Sequence, residues 1–266
     1  PRFSYPESMD RARFSALAHS SHSYCNPISE DSIEHALDLI AAAHKLPSAP
    51  PLSSALDIAC GKAELLIRLL ERFPAPFRSL GLDNSQFMLD EARARAKARS
   101  VADRLNLRLT DAEHVVPLLP GASFDFVSCV GSSHALHDKH RAMEQMSRLV
   151  TSRGHILLGE GYWKKKPDPA YLASFGATEE EMGTHESNQQ LASGHGLQLI
   201  WSTVASDEDW DAYENAYAAN IERFARENPA DPDVPAMLER SRNWHKLYQE
   251  HGRTTMGFGL YLFRRE

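Results

Sequence analysis

A short apolar run that ends in a turn of small residues constrains this chain more than any other feature. It reads Ala55-Leu56-Asp57-Ile58-Ala59-Cys60-Gly61-Lys62-Ala63-Glu64 and passes into an apolar stretch with helical spacing. Roughly 20 residues on, a second run, Ser79-Leu80-Gly81-Leu82, ends on Asp83. Strand, small-residue turn, helix, and an acid closing the next strand form the opening βαβ unit of a nucleoside-binding α/β domain. The turn lets backbone approach a ligand closely, and the second acid can accept hydrogen bonds from ribose hydroxyls.

The same rhythm continues. Strands are predicted over residues 55–58, 80–83, 105–110, 124–130 and 155–159, separated by helical patterns, one ending near 73, one over 85–98 and one ending near 150. Strands alternating with helices predict a parallel sheet with helices on both faces. Before them, Ser29 with Glu30 and Asp31 opens a helix to about Lys45, with Ile33, Leu37 and Ile40 on one face. Pro47, Pro50, Pro51 and Ser53 mark a linker. After residue 160 the rhythm changes: a lysine-rich loop over 164–169, a short helix over 188–193, a strand over 197–204, helices over 207–226 and 234–251, and a last strand over 255–263. Trp210, Tyr213, Tyr217, Ile221 and Phe224 recur at helical spacing in the first long helix and read as its packing face.

The bulk numbers exclude several partners. A net charge of −7 argues against a nucleic-acid backbone, and no apolar stretch approaches the roughly 20 residues of a membrane helix. The first residues carry Arg2, Glu7, Asp10, Arg11 and Arg13 in place of a secretory apolar core. Cys25, Cys60 and Cys129 are widely spaced and odd in number, so neither a disulfide framework nor a zinc ribbon is expected. The expectation is a cytoplasmic enzyme. His134, His137, Asp138 and His140 lie close together, but no Glu-x-x-His or Cys pair supports them. They read as a solvated helix start, and no metal is expected.

Candidate binding groups all fall at carboxyl ends of predicted strands, where open α/β sheets hold their ligands. They are Asp57 to Gly61 after the first strand, Asp83 after the second, Asp111 after the third, and Val130-Gly131-Ser132-Ser133 after the fourth. Asp111 can accept from an adenine amino group. A dinucleotide would want a glycine-rich turn to seat its pyrophosphate. Ala59 and Ala63 occupy two of the three glycine positions, so a ligand without a diphosphate fits the turn better. Alanine takes positive φ only at a cost, which speaks against tight binding.

The chain resembles the class I S-adenosylmethionine-dependent methyltransferases. The residues that carry the resemblance are Leu56-Asp57-Ile58-Ala59-Cys60-Gly61-Lys62-Ala63, Gly81-Leu82-Asp83-Asn84-Ser85, Asp111-Ala112 and Phe124-Asp125-Phe126-Val127. Within the class it is similar to bacterial small-molecule enzymes with a comparable Gly159-Glu160-Gly161-Tyr162-Trp163 run and Asn26-Pro27 near the N-terminus. The resemblance implies a Rossmann-like seven-stranded sheet, mostly parallel with the last strand antiparallel. Residues 1–50 would form an N-terminal lid and helix and 51–266 the methyltransferase domain, with a helical insertion at about 207–251. It implies S-adenosyl-L-methionine as cofactor. Asp57 and Gly61 would line the methionine moiety and Asp83 would bind the ribose, with Ala59, Asn84 and Met88 as further cofactor contacts. Asp111 and Ala112 would contact adenine, and Val130 and Gly131 approach through backbone.

The acceptor expected is a small molecule with an N, O, S or C nucleophile. Methyl transfer needs alignment and exclusion of water more than covalent help, and a base only where the nucleophile arrives protonated. His134, Glu160 and Tyr162 are the candidates for the reacting centre; His22, Tyr24 and Trp163 are candidates for holding the acceptor. Two alternatives share the pocket: a non-methylating use of the sulfonium, such as intramolecular alkylation or cyclisation, and a non-catalytic nucleoside-binding module.

Overall fold

The computed structural model describes residues 10–45 and 51–266; Tyr5 and the linker positions Pro47 and Pro50 lie outside the described residues. In chain order the elements are α1 (Arg11–Ala18), α2 (Glu30–His44), β1 (Ser54–Ile58), α3 (Glu64–Arg72), β2 (Arg78–Asp83), α4 (Gln86–Ala98), β3 (Leu105–Leu109) and α5 (Ala112–Val115). Then come β4 (Phe124–Val130), α6 (Lys139–Leu149), β5 (Val150–Trp163), α7 (Pro169–Phe175), α8 (Glu179–Met182), α9 (His185–Gln189), β6 (Leu197–Val204), α10 (Asp207–Glu227), α11 (Val234–Leu247) and β7 (Met256–Arg265). The strands form one sheet in the order β3-β2-β1-β4-β5-β7-β6. The pairs β1–β2, β1–β4, β2–β3 and β4–β5 are parallel, and β7 runs antiparallel to β6. The seven-stranded sheet expected from the sequence is present.

The chain divides into two compact units. The sheet unit holds Ser29–Glu160, Glu186–Val204 and Gly259–Glu266. Its core joins Leu56, Ile58, Val127, Cys129, Ile156 and Leu158 from the strands to Met143, Met146 and Leu149 from α6. At the amino ends of the strands Asp125 ties three of them together. Its carboxylate accepts the Ser53 and Ser54 amides at 2.8 and 3.1 Å and the Thr151 hydroxyl at 3.0 Å. α2 starts as Ser29 dictates: its hydroxyl accepts the Ser32 amide at 3.2 Å.

Outside the sheet, α2, α3 and α4 are laced by ion pairs centred on Glu64, which is only 5 % exposed. Arg68 Nε, Arg99 Nη1 and Arg95 Nη1 reach its carboxylate at 2.8, 2.6 and 3.3 Å. Arg68 also binds Glu30 and Glu34, Arg72 binds Glu34 and Asp38, and Arg99 binds Glu71. Burial alone would raise the Glu64 carboxyl; hydrogen bonds from Arg99 and Arg68 outweigh it and hold it below the ordinary value.

The helical unit holds the described residues up to Ile28, with Gly161–His185 and Ala205–Phe258. Phe14 and Ala18 of α1 pack with Ile221 and Met237, flanked by Tyr217 and Phe224. Arg13 pairs with Asp231 and Asp233, and Asn220 Nδ2 donates to the Ala18 carbonyl at 2.9 Å. α1 was not expected from sequence: only Phe14 and Ala18 are buried along it, and its clearest local signal is Asp10, whose carboxylate accepts the Ala12 and Arg13 amides. α11 ends at Leu247, where a helix to 251 was expected, and a wider turn over Tyr248–Gly252 follows. Among the described residues no helix is long and apolar enough to cross a membrane.

Glu64→Gln should lower stability by about 2 kcal/mol in urea unfolding at pH 7, a buried-pair loss reduced because its arginines are part-exposed. The lowered pKa means that Glu64 stabilises the fold above its unfolded value and ceases to as pH falls through the folded one. The difference between parent and variant should therefore shrink on acidification.

Candidate functional site

The carboxyl edge of β1 to β4 is built around one carboxylate. Asp83, last residue of β2, accepts the Gly61 amide through Oδ2 and the Ser85 amide through Oδ1, both at 2.8 Å. It thereby joins the turn after β1 to the start of α4. The turn is closed further by the Cys60 amide donating to the Leu82 carbonyl at 2.9 Å and the Ala63 amide to the Cys60 carbonyl at 2.8 Å. Burial raises the Asp83 carboxyl, and the amides of Ser85, Gly61 and Asn84 oppose the shift. Each oxygen keeps acceptor capacity beyond its backbone donor, so the half-buried carboxylate fits a pair of ligand hydroxyls.

Three residues of the turn take left-handed backbone: Ala59 at φ 57°, Gly61 at φ 53° and Ala63 at φ 53°. The positive φ that alanine was expected to avoid is adopted twice, at about 1–2 kcal/mol each. Packing explains why the turn stays put. Beneath it β2 carries Gly81, where a Cβ would come within 2.8 Å of Cys60 Sγ and of Leu107. Only a glycine lets the Cys60 side chain lie against the strand.

Asp57 lies deeper. It is 5 % exposed and accepts the Ser128 hydroxyl at 2.7 Å. Burial pushes its carboxyl up to about 7; the Ser128 hydrogen bond opposes this and the Asp83 charge adds to it. An acid poised there can hold or neutralise a positive group.

The remaining residues read from the sequence as cofactor contacts lie along the same edge. Asn84 is exposed, and Met88 is buried in the first turn of α4, which Ser85 caps. Asp111 is exposed and caps α5, followed by buried Ala112. Val130 ends β4, and Gly131 follows at φ 71°, its amide donating to the Gly159 carbonyl at 2.8 Å. Asp57, Ala59, Gly61, Asp83, Asn84, Met88, Asp111, Ala112, Val130 and Gly131 are all in the sheet unit.

His134 and Glu160 belong to that unit too, His134 exposed on the tight turn Ser133–Leu136 and Glu160 near the end of β5. Tyr162, Trp163, His22 and Tyr24 belong to the helical unit. Tyr162 is buried with its ring against the Gly257 backbone, where a Cβ would meet ring carbons at 2.2–2.6 Å. Trp163 is buried too; its indole N–H donates to the Glu179 carbonyl at 2.8 Å, and its ring meets Tyr171 and Phe175 edge-on. His22 Nε2 bonds the Tyr213 carbonyl at 3.0 Å. Asp138 caps α6 by accepting the Arg141 amide at 2.8 Å.

Sequence reasoning missed Lys139 and Asn188. Lys139 is 7 % exposed, and its Nζ donates to Asn188 Oδ1 at 3.0 Å. Burial lowers the Lys139 pKa, while the Glu160 and Asp138 charges oppose the shift. A lysine at a helix start ordinarily points to water, and nothing in its neighbours signals otherwise.

Two outcomes test this geometry. Ala59→Gly should stabilise the protein by about 0.5–1 kcal/mol in urea unfolding, because glycine adopts the left-handed turn without strain and gives back part of the gain in the unfolded chain. Asp57 binds its proton more firmly folded than unfolded, so its own contribution to stability should fall as pH rises from about 4 to 7 and level off above. Asp57→Asn should lose that component and equal or exceed the parent in melting temperature at pH 8.

Residues 55–154 match the sequence family described as a methyltransferase domain. The uncharacterized protein YjhP of Escherichia coli K12 is 24% identical over 262 residues, covering 95% of this chain and 98% of that one. A demethylmenaquinone methyltransferase of Deinococcus radiodurans is 32% identical over 120 residues, 45% of this chain and 47% of that one. This chain thus spans about half the length of that relative. Among solved structures, a methyltransferase from Geobacter sulfurreducens in complex with S-adenosyl-L-homocysteine superposes with a TM-score of 0.81 at 23% identity, covering 96% of this chain and 98% of that one. Residues 55–154 thus carry a methyltransferase domain, on a seven-stranded sheet that shares its fold with that structure.

Proposed function

We propose that the chain transfers a methyl group from S-adenosylmethionine to a small-molecule nucleophile. The observation that carries the reading is the turn at Asp57 to Gly61 locked to Asp83, with further acceptors along the same edge. The domain match over residues 55–154 supports methyl transfer over the cyclising and non-catalytic alternatives. S-adenosylmethionine, when bound, supplies a methyl group already activated by a positively charged sulfur.

The chain's residues do the rest. Asp83 accepts the ribose hydroxyls on the lone pairs that Gly61 and Ser85 leave open, with Asn84 and Met88 beside it. Asp57, Ala59 and Gly61 line the methionine end, where the buried carboxylate answers a positive charge. Asp111 and Ala112 take the adenine, and Val130 and Gly131 bring backbone close. Held there, S-adenosylmethionine would give its methyl group to the nucleophile and leave as S-adenosylhomocysteine. His134 and Glu160 are the groups in the sheet unit for a proton the nucleophile releases. Tyr162, with His22, Tyr24 and Trp163, serves the acceptor. The net charge of −7 favours a small acceptor over a nucleic acid.

Calorimetry tests this directly. One equivalent of S-adenosylhomocysteine should bind, and absence of binding by both it and S-adenosylmethionine would overturn the reading. Asp83→Asn keeps the size of the side chain but removes the charge, and because its Nδ2 can only donate it also gives up one of the two backbone hydrogen bonds. It should weaken binding by about 1.5–3 kcal/mol through lost charge-assisted hydrogen bonds. Unchanged affinity in the folded variant would remove Asp83 from the ribose.

A further inference from the structure

The helical unit buries a carboxylate for which the described residues supply no cation. Glu214, on α10, is 1 % exposed. Its Oε2 accepts the Trp244 indole N–H at 2.7 Å, while Oε1 has no hydrogen-bond partner. Two further buried polar atoms of the helical unit are also unpartnered: the Trp210 indole nitrogen and the Tyr171 hydroxyl. Trp210 lies one turn before Glu214 on the same face of α10. Tyr171, on α7, lies near enough that the Glu214 charge, after burial, helps push its phenol up. The wall is aromatic: Trp210 stacks on Tyr248 at 6.0 Å, Trp244 lies 5.8 Å from Phe175, and Phe175 lies 5.5 Å from Tyr171.

Neither protonation state of Glu214 is satisfied from within. Ionised, it lacks a counter-charge in surroundings where an isolated carboxylate is expensive. Protonated, it leaves Oε1 either as a hydroxyl without an acceptor or as a carbonyl without a donor. Burial pushes its carboxyl up to about 8, against the Trp244 hydrogen bond. A glutamine would avoid the charge altogether. What a carboxylate adds here is attraction for a cation from outside, and aromatic faces add to that attraction.

We propose that Glu214, Tyr171 and the rings of Trp210, Trp244 and Tyr248 form a binding site for a primary organic ammonium ion. Glu214 Oε1 and the Tyr171 oxygen accept two of its N–H groups, and the indole N–H of Trp210 is left for an oxygen on the same molecule. Wall side chains must move aside to admit it. The site goes beyond the methyl-transfer reading and is read without cofactor, so its failure leaves cofactor binding untouched.

The test titrates the full chain, without cofactor, with 2-phenylethylammonium and with its neutral analogue 2-phenylethanol. The ammonium should bind at least tenfold more tightly, and Glu214→Gln should abolish that preference. Tyr171→Phe removes a hydroxyl with no partner in the fold, so it should melt at an unchanged or higher temperature. It should still weaken ammonium binding at least threefold, which keeps the test decisive if Glu214→Gln fails to fold. Equal binding of amine and alcohol would overturn the proposal, as would a preference that survives Glu214→Gln. So would a crystal structure at saturating amine in which only water bridges Glu214, Tyr171 and Trp210.

Discussion

The candidate site depends on the hydrogen bonds between the Asp83 carboxylate and the Gly61 and Ser85 amides. Parallel strands bring the ends of β1 and β2 side by side, but pairing stops at the strand ends and leaves the following backbone without sheet partners. Asp83 supplies them, one oxygen to each segment, and so fixes the entry to α4 and the path towards α3. The left-handed angles at Ala59, Gly61 and Ala63 follow from that path. The amides oppose the effect of burial on the carboxylate in part, and they hold it pre-positioned before any ligand arrives. One acid caps the turn and, in the function proposed, also takes the ribose.

The same fact corrects the meaning of the two alanines. From sequence they count against a functional turn, since each methyl makes positive φ unfavourable. The structure retains both angles, because the Cys60 and Ala63 amides, the Asp83 carboxylate and the contact between Cys60 and Gly81 over-determine the backbone. Strain held this way is common where a fold positions a ligand, so the alanines are compatible with binding.

How much was legible follows from what kind of signal each feature has. β1 to β4 and the acids at their ends were readable because apolar runs, small-residue turns and acids recur in fixed order along the chain. The α2 start was readable from Ser29, a strictly local signal. α1 was not, because its two buried residues gain their partners, Ile221 and Met237, from more than 200 positions away. Lys139 with Asn188, and Glu214 with Trp244, were invisible for the same reason. A buried charge is created by tertiary packing, and the sequence around it resembles any solvated helix.

Glu64 and Glu214 show what that packing decides. Both are glutamates on helices, and both are at most 5 % exposed. Glu64 lies among Arg68, Arg95 and Arg99, and its carboxyl is lowered; Glu214 lies among aromatic rings with one indole donor, and its carboxyl is raised to about 8. Helix propensity treats them alike, and burial disfavours the charge of each. The difference is whether neighbouring elements return the solvation that water supplied. At Glu64 three guanidinium groups do so, and the carboxylate becomes a joint between helices. At Glu214 a single N–H does so in part, and the remaining demand for positive charge is the physical ground for expecting a ligand there.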